Sequence, residues 1–492
     1  RTPSNIPQVF IPYKEVLDVY DAGLDVPDHV TLVWCDDNYG YIRRLSNEKE
    51  QLHSGGSGIY YHVSYWGRPH DYLWLASTSP ALVYTEMKRA YEHGADKLWI
   101  LNVGDIKPAE YLMEFFLDLA WDIHLCEKEG SEQSVFNHLN HWTEREFGTQ
   151  KAQEITSILK SYYHLANFRK PEHTGWSKVE EPGYPKGLTP VIDSEYNPVF
   201  NNEVERRIQQ YASIEERVKQ VKQYISDTKK NSYFQLVEYP VRGASLMNKK
   251  WLYAQLAHYY TDRDLERAKI YAAKSLQAYS EIERITREYA GMENGKWNRI
   301  IDFKPRKLPV FDMPVFSKLD SLIRINDQPV RRQEPVDNHG IVLAQNAIQA
   351  VKLTSNEKVV EGLGHSFSAI QMKQYHSLTF IFDIPKAGEG KIKVATIPNH
   401  DVDGNGMKIS LSIEGNELMP LDYSVKGRSE IWKQNVLRGQ AITTFKCDFL
   451  KTGATTITVK ALTPYIIIDQ IMIEMDADEH FYEFPVTMQT GN

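Results

Sequence analysis

Four short stretches place polar and aromatic side chains directly after apolar runs. Tyr13-Lys14-Glu15 follows Gln8–Pro12. Cys35-Asp36-Asp37-Asn38-Tyr39-Gly40 follows Val30–Trp34. His62-Val63-Ser64-Tyr65-Trp66-Gly67-Arg68 closes the run that begins at Gly58, and Asn102-Val103-Gly104-Asp105 closes Lys97–Val103. Carboxylates, amides, an imidazole and aromatic rings in one set suit glycoside hydrolysis. That reaction needs one carboxylic acid to protonate the leaving oxygen and one carboxylate to activate water. Glu15, Asp36 and Asp37 are the candidate catalytic carboxylates. Tyr13, Asn38, His62, Tyr65 and Asn102 are candidates for binding sugar hydroxyls, and Trp66 for stacking on a ring. A substrate carboxylate would pair with Lys14, His62, Arg68 or an upstream arginine.

Each residue also has an ordinary explanation. Glu15 suits the first turn of a helix, where the dipole favours an acid. Asp36 and Asp37 are good N-caps. His62 within a strand is more often a satisfied core histidine, and Asn102 also reads as a turn former. The four stretches carry more information together than any residue does alone.

The elements that must position them alternate. Gln8–Pro12, Val30–Trp34, Gly58–Tyr65 and Lys97–Val103 read as strands. Helices are expected over Lys14–Gly23, Tyr39–His53, Pro80–His93 and Pro108–Trp121, the third capped by Ser79 with proline at its first position. Continuous apolar strands, each followed by a helix, predict a parallel sheet covered on both faces. In such sheets the site lies at the C-terminal strand ends. Four units amount to half of a (β/α)₈ barrel, assigned to residues 1–125.

Residues 126–301 change to helical periodicity. Val204, Ile208, Tyr211, Val218, Val221 and Ile225 recur at three- and four-residue steps, as do Leu265, Ala268, Ala272, Leu276, Tyr279 and Ile282. This predicts an α-helical bundle domain, with a loop around Pro182–Thr189. A proline-rich linker then opens residues 302–492, where alternating strands and glycine turns at Gly388-Glu389-Gly390, Gly404-Asn405-Gly406 and Gly453 predict a β-sandwich. Asp401–Gly406 begins like a calcium loop, but position twelve is Ser412, so no metal is expected and the segment reads as a hairpin turn. Trp432 alone of 10 tryptophans lies beyond Asp302. A structural or dimer-forming role therefore suits this region better than a stacking platform, and a homodimer is a possible partner arrangement.

The 492 residues carry a net charge of -8, which argues against a nucleic-acid partner. No run of 18 apolar residues occurs, so no membrane partner is expected. Three scattered cysteines form neither a disulfide framework nor a zinc motif. The chain starts at Arg1 rather than Met, which fits removal of a leader.

Tyr13–Tyr20, Val33–Arg44 and Gly55–Pro69 are long and unusual motifs, and through them the chain resembles glycoside hydrolase family 115, the xylan α-1,2-glucuronidases. The resemblance runs through the helical middle and the β-domain. It implies an inverting hydrolase, without metal or cofactor, that releases glucuronic acid or its 4-O-methyl ether from xylan or glucuronoxylan oligosaccharides, in a secreted or periplasmic setting. It implies that Glu15 is a catalytic carboxylate, ahead of Asp36 and Asp37, and that Tyr13, Asn38, His62, Tyr65 and Asn102 line the pocket. Family members carry an N-terminal domain and a first barrel half ahead of this point, so a missing half, on the same or a separate chain, is an expected partner. The competing expectations are a different barrel glycosidase, such as a hexosaminidase-like enzyme, and a non-catalytic polysaccharide-binding or scaffold protein.

Overall fold

The computed structural model describes residues 6–127, 135–175, 191–199, 201–316, 318–319, 340–351, 357–477 and 481–486. The loop expected around Pro182–Thr189 lies outside them.

Four strands, β1 (Val9–Phe10), β2 (Thr31–Cys35), β3 (Ser57–His62) and β4 (Leu98–Asn102), pair in parallel in the order β1-β2-β3-β4. Leu32, Val33, Trp34, Ile59 and Tyr61 are almost fully buried. Burying a large apolar side chain contributes about 1.5–3 kcal/mol. Gly58 lets β3 and β4 approach, since a Cβ there would stand 2.0 Å from the Leu98 carbonyl oxygen. Helices α1 (Glu15–Asp21), α2 (Pro80–Glu92) and α3 (Glu110–Trp121) follow β1, β3 and β4. Ser79 caps α2 as expected, its side chain accepting from the Ala81 N–H.

The helix expected over Tyr39–His53 does not form. The stretch holds one 3₁₀ turn, Glu50–Leu52, and an isolated bridge between Asp36 and Ile42. Asn38 and Gly40 take φ values of 76° and 94°, outside the helical region. The backbone N–H groups of Asn38, Tyr39, Gly40 and Tyr41 are drawn onto the carboxylates of Asp36 and Asp37 instead of into a helical ladder. All seven residues from Asp36 to Ile42 are buried, which no single helix face would permit.

The helical region comprises α4 (Val135–Phe147), α5 (Ala152–Phe168), α6 (Glu203–Lys222), the short α7 (Lys230–Tyr233), which passes through a π turn (Phe234–Glu238) into α8 (Tyr239–Tyr260), and α9 (Leu265–Gly295). One hydrophobic cluster runs from the parallel sheet through α4, α5 and α6 into α8 and α9. The proline-rich segment is more than a linker. Val310 and Phe311 are buried, and the Val310 carbonyl accepts from both Lys250 Nζ and Trp251 Nε1.

The last region is two antiparallel sheets facing each other across a shared core. One holds β8 (Ser377–Ile384), β10 (Lys408–Ile413), β11 (Asn416–Glu417), β12 (Leu421–Asp422) and β14 (Gly453–Ala461). The other holds β5 (Ile341–Asn346), β6 (Lys358–Glu361), β7 (Ser368–Gln371), β9 (Gly388–Thr396), β13 (Ala441–Phe449) and β15 (Ile467–Met475). A helix, α10 (Glu430–Arg438), precedes β13. Leu378, Phe380, Phe382 and Ile384 point inward in strict alternation. Two expectations change here. Gly388-Glu389-Gly390 lies inside β9, paired with β13, rather than in a turn. The Asp401–Gly406 segment is not a hairpin, because β9 and β10 belong to different sheets; the Asp401 carboxylate binds the Asp403 and Gly406 N–H groups and so shapes a sheet-to-sheet crossing.

Candidate active site

The C-terminal ends of the parallel strands open into one cleft of about 560 Å³. Tyr13, Lys14, His62, Tyr65, Trp66 and Asn102 line it together with Cys35, Tyr60 and Ser64. Period-two geometry explains part of this convergence, because Tyr60 and His62 share one face of β3.

Asp36 controls the floor. Its Oδ1 lies 2.5 Å from His62 Nδ1, and its Oδ2 accepts the His62 and Gly40 N–H groups at 3.1 and 3.0 Å. Both side chains are buried. Burial pushes the Asp36 carboxyl above its ordinary range, and the facing imidazole opposes that rise. With Nδ1 held by the carboxylate, the other ring nitrogen, Nε2, is left for the cleft.

Asn38 and Asn102 are held by tyrosines. Tyr13 Oη donates to Asn38 Oδ1 at 2.7 Å, and Tyr72 Oη donates to the Asn38 carbonyl at 2.6 Å. Asn102 Nδ2 donates to Tyr60 Oη at 2.8 Å, which leaves its carbonyl oxygen as an acceptor at the cleft wall. Ser64 Oγ is buried without a partner among the described residues. At the rim Trp66 is 65% exposed and carries the Arg306 guanidinium 4.1 Å above its ring. Arg306 also pairs with the buried Asp71, which fixes the loop by accepting the Gly67 N–H at 2.7 Å.

Asp37 faces away from the cleft, toward the β-domain. Its Oδ2 accepts from Trp432 Nε1 at 2.7 Å and from His400 Nε2 at 3.0 Å, while Oδ1 accepts the Tyr39 and Tyr41 N–H groups. Consecutive residues thus serve three directions: Asp36 holds β3, Asp37 holds the β-domain and Asn38 holds the β1 end.

Glu15 stands in the first turn of α1 with its side chain 77% exposed, 3.5 Å from Arg428 of the β-domain. It is not among the side chains that line the cleft, and neither is Arg68. Of the candidate site residues, six therefore meet directly in one cavity, Asn38 and Asp36 support them from behind, and Asp37 joins two domains.

A family model described as glycosyl hydrolase family 115 matches residues 1–173, and one described as the glycosyl hydrolase family 115 C-terminal domain matches residues 346–485. A solved family 115 4-O-methyl-α-glucuronidase with specificity for decorated arabinogalactans superposes with a TM-score of 0.82 and 43% identity, covering 96% of this chain and 58% of that one. The chain belongs to glycosyl hydrolase family 115. It spans little more than half the length of that family 115 relative. No curated protein matches it. The C-terminal CBM6 of a marine laminarinase from Zobellia galactanivorans (16% identity, 27% of this chain and 100% of that one, TM-score 0.21) and a CBM35 from Cellvibrio japonicus (14%, 27% and 92%, 0.22) are too distant to bear on the reading.

Several contributors to this candidate site carry little sequence signal. Tyr60 was open to inference from its two-residue spacing to His62. Arg306, His400, Arg428 and Trp432 reach the strand ends from hundreds of residues away, and no local pattern marks them.

Proposed function

We propose that this chain provides the C-terminal half of a (β/α)₈ catalytic barrel in an inverting hydrolase, one that releases glucuronic acid or 4-O-methylglucuronic acid from xylan side chains. The observation that carries the proposal is the convergence of Tyr13, His62, Tyr65 and Asn102 on one sugar-sized cleft, in a chain of a glycosidase family. Sugar recognition needs fixed hydrogen-bonding groups and an aromatic wall, and the cleft supplies both.

The half-barrel reading rests on the sheet edges. Among the described residues β1 and β4 each pair on one side only, every residue of β4 is half-buried, and Val9 is 49% exposed. Further parallel strands, from the same or another polypeptide, would cover these edges and complete the cleft.

We assign the catalytic carboxylate to Glu15. Asp36 and Asp37 are fully buried and committed to several hydrogen bonds each, so neither is free to exchange protons with substrate. Glu15 directly follows Lys14, which lines the cleft, and among the described residues its one ion pair is a long, exposed one to Arg428 that costs little to break. Its partner carboxyl, about 6.5–9.5 Å away in an inverting enzyme, belongs to the strands that complete the barrel. A polymeric substrate agrees with a secreted or periplasmic protein.

The test is a substrate panel on the enzyme containing this chain: glucuronoxylan oligosaccharides, decorated arabinogalactan and a hexosaminide. Release of glucuronic acid from xylan fragments, abolished by Glu15→Gln, supports the proposal. Full release by the Glu15→Gln variant removes Glu15 from the chemistry, and cleavage of the hexosaminide alone removes the uronate reading.

A further inference from the structure

The cleft has an electrostatic imbalance. Its lining contains no Asp or Glu side chain, and Lys14 is its one Lys or Arg. Lys14 forms no ion pair with a carboxylate among the described residues. Its Nζ instead sits 4.7 Å from the centroid of the Tyr13 ring and 5.5 Å from that of Tyr65. The backbone delivers it there at a cost. Lys14 adopts φ 52° and ψ -120°, a conformation that a side-chain-bearing residue rarely takes, and such strain is concentrated where the surroundings hold a residue in place for a purpose. Elsewhere the chain is acidic, with a net charge of -8. An ammonium group partly withdrawn from water, placed over ring π-systems and, among the described residues, in no ion pair, is a candidate anion site.

The same two rings lead to His62. Tyr13 and Tyr65 lie 6.1 and 5.8 Å from its imidazole, centroid to centroid. Lys14 and His62 therefore flank one aromatic pair within the same cleft. The buried Ser64 hydroxyl, unpartnered among the described residues, opens into the same cavity and offers a further donor.

We propose that Lys14 is the residue that reads the substrate's carboxylate, pairing with the C6 carboxyl of a hexuronic acid and so setting the preference for uronates over neutral hexoses. This rests on the uronosyl-hydrolase reading above. A charge-assisted hydrogen bond from an ammonium to a carboxylate discriminates against a neutral hydroxymethyl group, because the neutral ligand leaves the desolvated cation without a partner.

The experiment compares the unmodified enzyme with Lys14→Met and Lys14→Arg, using free glucuronate and free glucose as competing ligands and following release of uronic acid from xylan fragments. The expected result is a rise of about tenfold to a hundredfold in the inhibition constant for glucuronate in Lys14→Met, no change for glucose, and substantial recovery in Lys14→Arg. Equal weakening of both ligands, or an unchanged glucuronate constant, overturns the proposal. If the unmodified enzyme releases uronic acid while Lys14→Met keeps its preference, Lys14 fails and the functional reading stands. If the unmodified enzyme releases none from any uronoside, the functional reading fails first.

Discussion

Asp36 Oδ1 lies 2.5 Å from His62 Nδ1, joining the end of β2 to the end of β3 beneath the cleft. The bond fixes the ring orientation of His62 and leaves Nε2 for the cleft. Asp36→Asn keeps the side-chain volume but turns one acceptor into a donor. It is expected to lower kcat/KM by about tenfold to a hundredfold, the size of effect seen when a carboxylate that orients a metal-bound histidine is removed. Kinetics on xylan fragments, alongside circular dichroism to show retained folding, check this.

Trp432 ties the β-domain to the same loop. Replacing it with Phe preserves most of the packing but deletes the Nε1–H bond to the buried Asp37 carboxylate. The loss is expected to cost about 1–3 kcal/mol, read as a lower midpoint in chemical denaturation. Activity should fall as well, because Asp37 sits between Asp36 and Asn38. An unchanged midpoint with unchanged activity would show that the two domains do not communicate through Asp37.

Trp66 lines the cleft at its rim, with Arg306 over one face of its ring. Trp66→Ala is expected to raise KM by roughly tenfold while kcat changes little, the signature of binding lost equally in ground and transition states. A fall in kcat with constant KM would place Trp66 in the chemical step.

Stability should respond to pH through Glu203, which is not part of the cleft lining. Its buried carboxylate accepts the Asn197, Tyr482 and Glu483 N–H groups and thereby clamps the segment after β15 onto α6. Burial raises its pKa from an ordinary value of 4.5 to about 7. The folded protein therefore binds more protons than the unfolded chain between these values, and stability falls as pH climbs from about 4.5 through about 7. Denaturation midpoints measured across this range should show that decline, and Glu203→Gln should flatten it.

Much of this arrangement could be read from residue order. Continuous apolar runs reported the parallel strands, because strands covered on both faces need no alternation. The polar residues after those runs fell on one rim, because parallel strands point their C-terminal ends the same way. The helix expected over Tyr39–His53 does not form. The competing effect was local: the Asp36 and Asp37 carboxylates captured the N–H groups a helix would have needed. Asp37 was legible as a candidate carboxylate but not as a domain anchor, since its partners His400 and Trp432 lie more than 360 residues away. Glu15 matched a motif, yet its exposure depends on packing that no local pattern encodes.

The most direct test of the central claim is a crystal structure of the enzyme containing this chain, soaked with glucuronic acid. The sugar is expected in the cleft against Tyr65, within hydrogen-bonding reach of His62 Nε2 and the Asn102 carbonyl oxygen. Glucuronic acid bound elsewhere, with these side chains contacting only water, would contradict the account.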